Sequence, residues 1–238
     1  MVNIPVITKR ELSAYFLSPI AYVVLTGFAL AHGLLFSLFL APTIDPTNTA
    51  QWAFGLPLWL LIVAVPLLTM RLLSEETANG TIETLMTAPV TEIEVVLGKF
   101  VGALVFVVVL FAPILVEVVY LSSLGPVDPG PVLSGFLGLI LLSALFIAIG
   151  LLCSAVTRMQ VAAGIVSFVM LLGSYFLWTL SRDAETSVSA ALRYISPPWH
   201  YISFTKGIVD TRDLAYFGVT TAVFLFLTVK ALELRKWR

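Results

Sequence analysis

The sequence predicts an all-α integral membrane protein with six transmembrane helices, and two features carry that prediction. Of 238 residues, 59% are apolar and 11% charged, with a mean hydropathy of +1.03. Soluble domains carry about 25% charged residues, so a water-soluble globule and a disordered chain are excluded. The second feature is length. A helix needs roughly 20 apolar residues to cross a hydrocarbon core, and six stretches reach that length, at residues 20–41, 52–70, 100–121, 132–156, 160–180 and 214–232. Each must satisfy its own backbone groups in lipid, which makes it a helix. No apolar/polar alternation of the barrel type occurs. Six spans leave little chain for anything else, so residues 1–238 read as one transmembrane domain.

The first span follows Lys9 and Arg10. Its apolar run is too long for the core of a signal peptide, and no small-residue cleavage pattern follows, so it reads as an uncleaved helix. Pro57 and Pro66 in the second span and Pro113 in the third can kink them. Pairs of small residues four apart (Gly27 and Ala31, Ala29 and Gly33, Ser134 and Gly138, Ala144 and Ala148, Ala163 and Ser167) permit close helix approach, within one subunit or across a dimer seam. Between spans five and six, Leu192, Ile195, Trp199, Tyr201, Ile202 and Phe204 make the connection too apolar for a plain solvated loop, and Pro197-Pro198 divides it in two. Interfacial helices with an aromatic belt and a re-entrant segment both fit that pattern.

An even number of spans puts both termini on one side. That side carries nine Lys and Arg residues and the other four, which predicts a plasma (inner) membrane protein with both termini in the cytoplasm. Arg235, Lys236 and Arg238 then form a cytoplasmic anchor.

The connection between spans two and three is the most informative stretch. Ala78, Ile82, Leu85 and Met86 recur at helical spacing and make one apolar face. Pro89 stops that helix. Thr91 and Glu94 form a T-x-x-E capping box ahead of Val95-Val96-Leu97, so the third span begins as a helix before it enters the membrane. The polar side of the connector is acidic, with Glu75, Glu76, Glu83, Glu92 and Glu94 against Arg71 and Lys99. Helices that lie on lipid favour Lys and Arg there, so a protein groove is a better acceptor than an anionic leaflet. Burying Ile82, Leu85 and Met86 in such a groove is worth about 1.5–3 kcal/mol per side chain before ordering costs.

The run from Glu75 to Val90, with Gly80-Thr81-Ile82-Glu83 at its centre and Leu97-Gly98-Lys99 after it, resembles the E-E-x-x-x-G-T-[IL]-E-x-L-[LM]-T-x-P-[VL] signature of type-2, exporter-like ABC-transporter permeases. Lys9-Arg10-Glu11-Leu12 through Tyr22 is similar to that family's amphipathic entry helix, Ser154-x-x-Thr157-x-x-Gln160 to its turn between spans four and five, and Lys206-Gly207-x-x-Asp210-x-Arg212-Asp213 to the approach to its last span. Within the family the sequence looks most similar to the gliding-motility-associated permeases. The resemblance implies an N-terminal amphipathic helix, a cytoplasmic coupling helix between spans two and three, and an outer re-entrant or interfacial segment between spans five and six. It also implies a separate cytoplasmic ABC ATPase, gripped through Glu75, Glu76, Gly80, Thr81, Glu83, Leu85 and Pro89, and a second permease copy or a related permease alongside. Alternating access driven by that ATPase is the implied mechanism.

No catalytic residues or cofactor are expected. The phosphate-binding G-x-x-x-x-G-K-[ST] pattern is absent, as are H-E-x-x-H and G-x-S-G. The net charge of −1 excludes a basic field for nucleic acid. One cysteine, Cys153, excludes an internal disulfide and a cysteine metal site, and Met, His and Cys form no soft-ligand cluster. Glu117 is the sole carboxylate within a span, and His32 lies in the outer half of the first. Both are candidates for the substrate path or a gate, the alternative for each being a packed or hydrogen-bonded structural role. A non-transporting scaffold for an ABC ATPase, in motility or envelope assembly, and a stand-alone secondary carrier are the rival functions.

Overall fold

A computed structural model describes residues 3–40, 46–78, 90–181 and 186–236. Gly80, Thr81, Glu83, Leu85 and Pro89 of the predicted coupling helix lie outside the described residues. The described chain is helical, without strands, and six of its helical stretches are long and apolar enough to span a membrane. The described helices, in chain order, are α1 (Ile4–Leu17), α2 (Pro19–Leu40), α3 (Pro46–Thr69), α4 (Ser74–Ala78), α5 (Glu92–Leu110), α6 (Ala112–Leu124), α7 (Pro129–Val156), α8 (Gln160–Ser181), α9 (Ser187–Ile195), α10 (Pro197–Thr205) and α11 (Thr211–Lys236).

The third span shows two features that local signals in the sequence predict. The third span starts at Glu92, well before residue 100, because the Thr91–Glu94 capping box forms as predicted: the Glu94 amide donates to Thr91 Oγ1 at 3.3 Å and the Thr91 amide to Glu94 Oε2 at 3.2 Å. That span is also divided. Phe111 ends α5, and Pro113, lacking an amide hydrogen, sits in the first turn of α6. The connection between spans five and six forms two short helices that part at Ser196–Pro197, as the proline pair predicts.

The central post is α7, which packs against α3, α5, α8, α10 and α11. It is apolar all round, and the run from Leu145 to Ala148 is fully buried. Its small residues admit its neighbours. A β-carbon added to Gly138 would lie 2.6 Å from the β-carbon of Phe204 on α10, one on Gly150 would lie 2.2 Å from Thr69 Oγ1 on α3, and one on Gly135 would lie 2.7 Å from the Phe54 ring. The Ser134–Gly138 pair thus serves packing within the subunit, and Ser134 Oγ donates to the Phe204 carbonyl at 2.7 Å. Gly27 and Gly33 on α2, by contrast, meet nothing within 4 Å. The segment after span five is no surface loop, since α10 buries Tyr201 and Phe204 against α7 and is followed by Gly207, whose φ of 85° suits glycine.

Ser154 on α7 sets where α4 begins. Its hydroxyl accepts from the Leu73 and Ser74 amides, each at 3.0 Å, and donates to the Met70 carbonyl at 3.2 Å. Those amides begin a helix and have no partner within it. One hydroxyl therefore fixes the turn between α3 and α4 and aims the glutamates that follow.

Gly138→Ala and Gly150→Ala should each destabilise the purified protein by about 1–3 kcal/mol through overpacking. Gly173→Ala on α8, where nothing lies within 4 Å, should leave the thermal midpoint in detergent unchanged.

Candidate functional site

The side of the bundle that carries the termini holds a compact ionic cluster built by α1, α4 and α5. Ile7, Glu11 and Tyr15 recur every fourth residue on α1 and so share one face. That face lies along α5 where Gly98 and Gly102 remove side-chain bulk: a β-carbon on Gly98 would sit 2.6 Å from the Ile7 side chain, and one on Gly102 3.0 Å from Glu11. Thr8 Oγ1 donates to the Gly98 carbonyl at 3.2 Å, and Tyr15 stacks on Phe106 at 4.9 Å between centroids.

Between those two glycines α5 carries Lys99, 2% exposed. Its ammonium donates to Glu76 Oε1 at 2.8 Å and Glu11 Oε1 at 3.0 Å. The half-exposed Arg10 donates to the same two oxygens, at 3.1 Å to Glu76 and 3.0 Å to Glu11. Two cations and two carboxylates from three helices thus share two oxygen atoms. A buried ammonium is tolerable only with such partners. Arg71, at the end of α3, donates to Ser18 Oγ between α1 and α2. Burial, and secondarily the Glu11 carboxylate, pushes the Tyr15 hydroxyl far above its usual range. It stays protonated and donates to the Leu68 carbonyl at 3.1 Å. A cavity of about 420 Å³ opens here, lined by Arg10, Glu11, Tyr15, Arg71, Glu75 and Lys99.

Two of the predicted connector residues therefore fall at this cluster, Glu76 within the ion pairs and Glu75 on the cavity wall. Lys99, Glu11 and Arg10 were not singled out as site residues. The signal that could have found them is a lysine inside the apolar run from Val95 to Phe111, which demands a carboxylate from another element.

The structure also brings together the two membrane-embedded candidates. His32 Nδ1 lies 2.9 Å from Glu117 Oε1, and His32 Nε2 lies 3.1 Å from the Ala53 carbonyl. The pair joins α2, α3 and α6, with His32 fully buried and Glu117 nearly so. A second such contact, missed in the sequence, sits in the segment after span five: His200 Nδ1 lies 2.6 Å from Asp213 Oδ1. Beside it a cavity of about 400 Å³ runs between α3, α8 and α10, with Trp59, Tyr175, Trp178 and Tyr201 in its wall and Lys206 at its edge.

No curated protein matches the chain. Residues 58–234, well over half of it, match the family model described as ABC-2 family transporter protein, whose members are typically non-catalytic membrane subunits. The match covers the helices from α3 to α11 that build the post and its surroundings, and with six spanning helices it makes this a multi-pass membrane protein of the ABC-2 transporter family.

Proposed function

We propose that the chain is the permease subunit of an ABC exporter, driven by a separate cytoplasmic ATPase that grips the acidic connector formed by Glu75, Glu76, Gly80, Thr81, Glu83, Leu85 and Pro89. The observation that carries this reading is the ionic cluster. Glu76 belongs to the short helix that leads into the connector, yet its carboxylate is held by Lys99 of the third span and Arg10 of the entry helix. A push on the connector has a rigid route into α1, α3 and α5 at once, which a segment merely resting on lipid would not need. A second permease copy or a related permease completes the path, both termini face the ATPase, and the aromatic cavity between α3, α8 and α10 offers the substrate an apolar contact on the far side. The resemblance to gliding-motility-associated permeases favours envelope or motility cargo. A scaffold that only anchors an ATPase would share the cluster but not ATP-dependent movement of cargo.

Two experiments test this. Charge reversal at Glu76 and Glu83 together should abolish co-purification with the ABC ATPase that the native protein captures from the cytoplasm. Unchanged capture and unchanged ATP-driven efflux from vesicles would remove the assignment. Arg10→Ala, at a half-exposed position, should leave folding intact but lower ATP-driven transport by at least roughly fivefold, the lower end of a typical coupling energy.

The cluster also makes a stability prediction. Lys99→Ala removes the buried cation and leaves Glu11 and Glu76 sharing Arg10, and should cost about 1.5–3 kcal/mol, the worth of a hydrogen bond to a charged group. Lys230→Ala removes an exposed pair with Glu233 (2.6 Å, both side chains at least 39% exposed) and should cost less than about 1 kcal/mol. Thermal melting of the two variants in one detergent compares them directly.

A further inference from the structure

The chain has two histidines, and both are built into the same arrangement on unrelated elements. In each, Nε2 faces a backbone carbonyl left without a partner inside its own helix. The Ala53 carbonyl would accept from the amide of residue 57, but Pro57 has no amide hydrogen, and Tyr194 stands in the last turn of α9, which ends at Ile195, so its carbonyl has no amide ahead of it in that helix. His32 reaches the first at 3.1 Å and His200 the second at 2.8 Å. In each, Nδ1 faces a carboxylate from a third element, Glu117 at 2.9 Å and Asp213 at 2.6 Å. One face of each ring is covered by an aromatic ring, Phe28 at 5.8 Å from His32 and Tyr216 at 3.9 Å from His200.

This geometry counts protons. A carbonyl oxygen only accepts, so Nε2 carries a hydrogen in both rings. Nδ1 and the carboxylate oxygen each present a lone pair, so their contact needs one further proton between them. The pair is then imidazolium with carboxylate or imidazole with carboxylic acid, and is neutral as a unit in either form. Without that proton a bare carboxylate would oppose a ring lone pair in a nearly buried site. Glu117 Oε2, buried and without a hydrogen-bond partner, is the atom such a charge would leave most exposed to that penalty.

We propose that the two pairs are proton-binding sites, each holding one shared proton that closes a three-element clasp, and that loss of the protons at raised pH loosens the half of the protein far from its termini. One clasp joins α2, α3 and α6, the other α9, α10 and α11. The proposal goes beyond the exporter assignment and does not depend on it. Few other groups compete for these protons. Around the first pair, α3 contributes no titratable side chain, Tyr22 on α2 and Tyr120 on α6 are exposed, and the charges of α5 lie at its opposite end. Around the second, Tyr194 and Tyr216 are the titratable rings in contact. Arg193 is turned to the Ser181 carbonyl and the Trp199 ring, Tyr201 to the Phe54 carbonyl, Tyr175 lies against Trp59 in a tilted ring contact, and Lys206, Asp210 and Arg212 are exposed.

The experiment uses the full-length protein in nanodiscs with ¹⁵N-labelled histidine, His32→Gln and His200→Gln each removing one ring to assign the other. The imidazole signals should show Nε2 protonated at both sites and Nδ1 in a strong hydrogen bond. A ring with hydrogen on Nδ1 and a bare Nε2, or one averaging freely between forms, overturns the proposal. The second readout is the thermal midpoint against pH. Because the closed clasp holds the extra proton, the midpoint of the native chain should fall as the pH is raised. Glu117→Gln combined with Asp213→Asn should flatten that fall, since each amide donates permanently where the proton sat. Glu117→Ala with Asp213→Ala should melt lower at every pH. An amide variant that keeps the full pH dependence, or an alanine variant as stable as the amide one, overturns it as well, and the ring signals decide the matter should the amide variant not fold.

Discussion

A polar group that enters a water-free interior must be met by another group of the protein, and the ion pairs and side-chain hydrogen bonds of this fold are such meetings. Lys99 is the strongest instance. An ammonium 2% exposed on an otherwise apolar helix requires carboxylates, and those it uses come from α1 and α4. The requirement fixes both elements against α5. The two glycines that flank Lys99 on α5 then follow as a second condition, since side chains at 98 and 102 would hold α1 too far away for Glu11 to reach. Ser154 answers the same constraint with neutral groups, its one hydroxyl serving two amides and a carbonyl where α3 turns into α4.

The two ends of the bundle meet the constraint with different chemistry. The end with the termini uses permanent charges that share oxygen atoms, so its strength depends on several groups being in place together. The far end uses neutral units: hydroxyls on carbonyls, as Ser134 on Phe204 and Tyr201 on Phe54, and histidines whose charge is balanced within the pair. The ionic cluster ties three helices together through charges on separate side chains, whereas each far-end clasp depends on a proton shared within one pair.

The six spans were legible because length and composition alone decide them, and the start of α5 was legible because a capping box is a local pattern. Pro197-Pro198 marked the break between α9 and α10 for the same reason. The pairings were not legible. Lys99 meets a carboxylate 88 residues away and His32 one 85 residues away, and only the rotation of each helix about its axis brings them together. In a soluble protein that rotation shows as an apolar stripe. In a membrane both the lipid-facing and the protein-facing sides are apolar, so α7 reads alike on every face although it is the buried post. His32 and Glu117 could be named as unusual residues, but nothing local said that they were partners. His200 and Asp213 hid in a segment whose apolar composition suggested an interface more than a packed hairpin.

One helix connects the two chemistries. At its far end α3 presents the Ala53 and Phe54 carbonyls, beside Pro57, to His32 and Tyr201. At its other end it runs through the Ser154-capped turn into α4 and Glu76. At 1.5 Å rise per residue those points are about 30 Å apart, roughly the thickness of a hydrocarbon core. A helix transmits displacement along its axis because its backbone bonds do not stretch, whereas side-chain clasps at its end can exchange partners. A movement imposed on α4 would therefore reach the far side as a change in how the proline-freed carbonyl of Ala53 and its neighbour meet their donors, and the protonation of His32 and Glu117 would set how firmly that end resists.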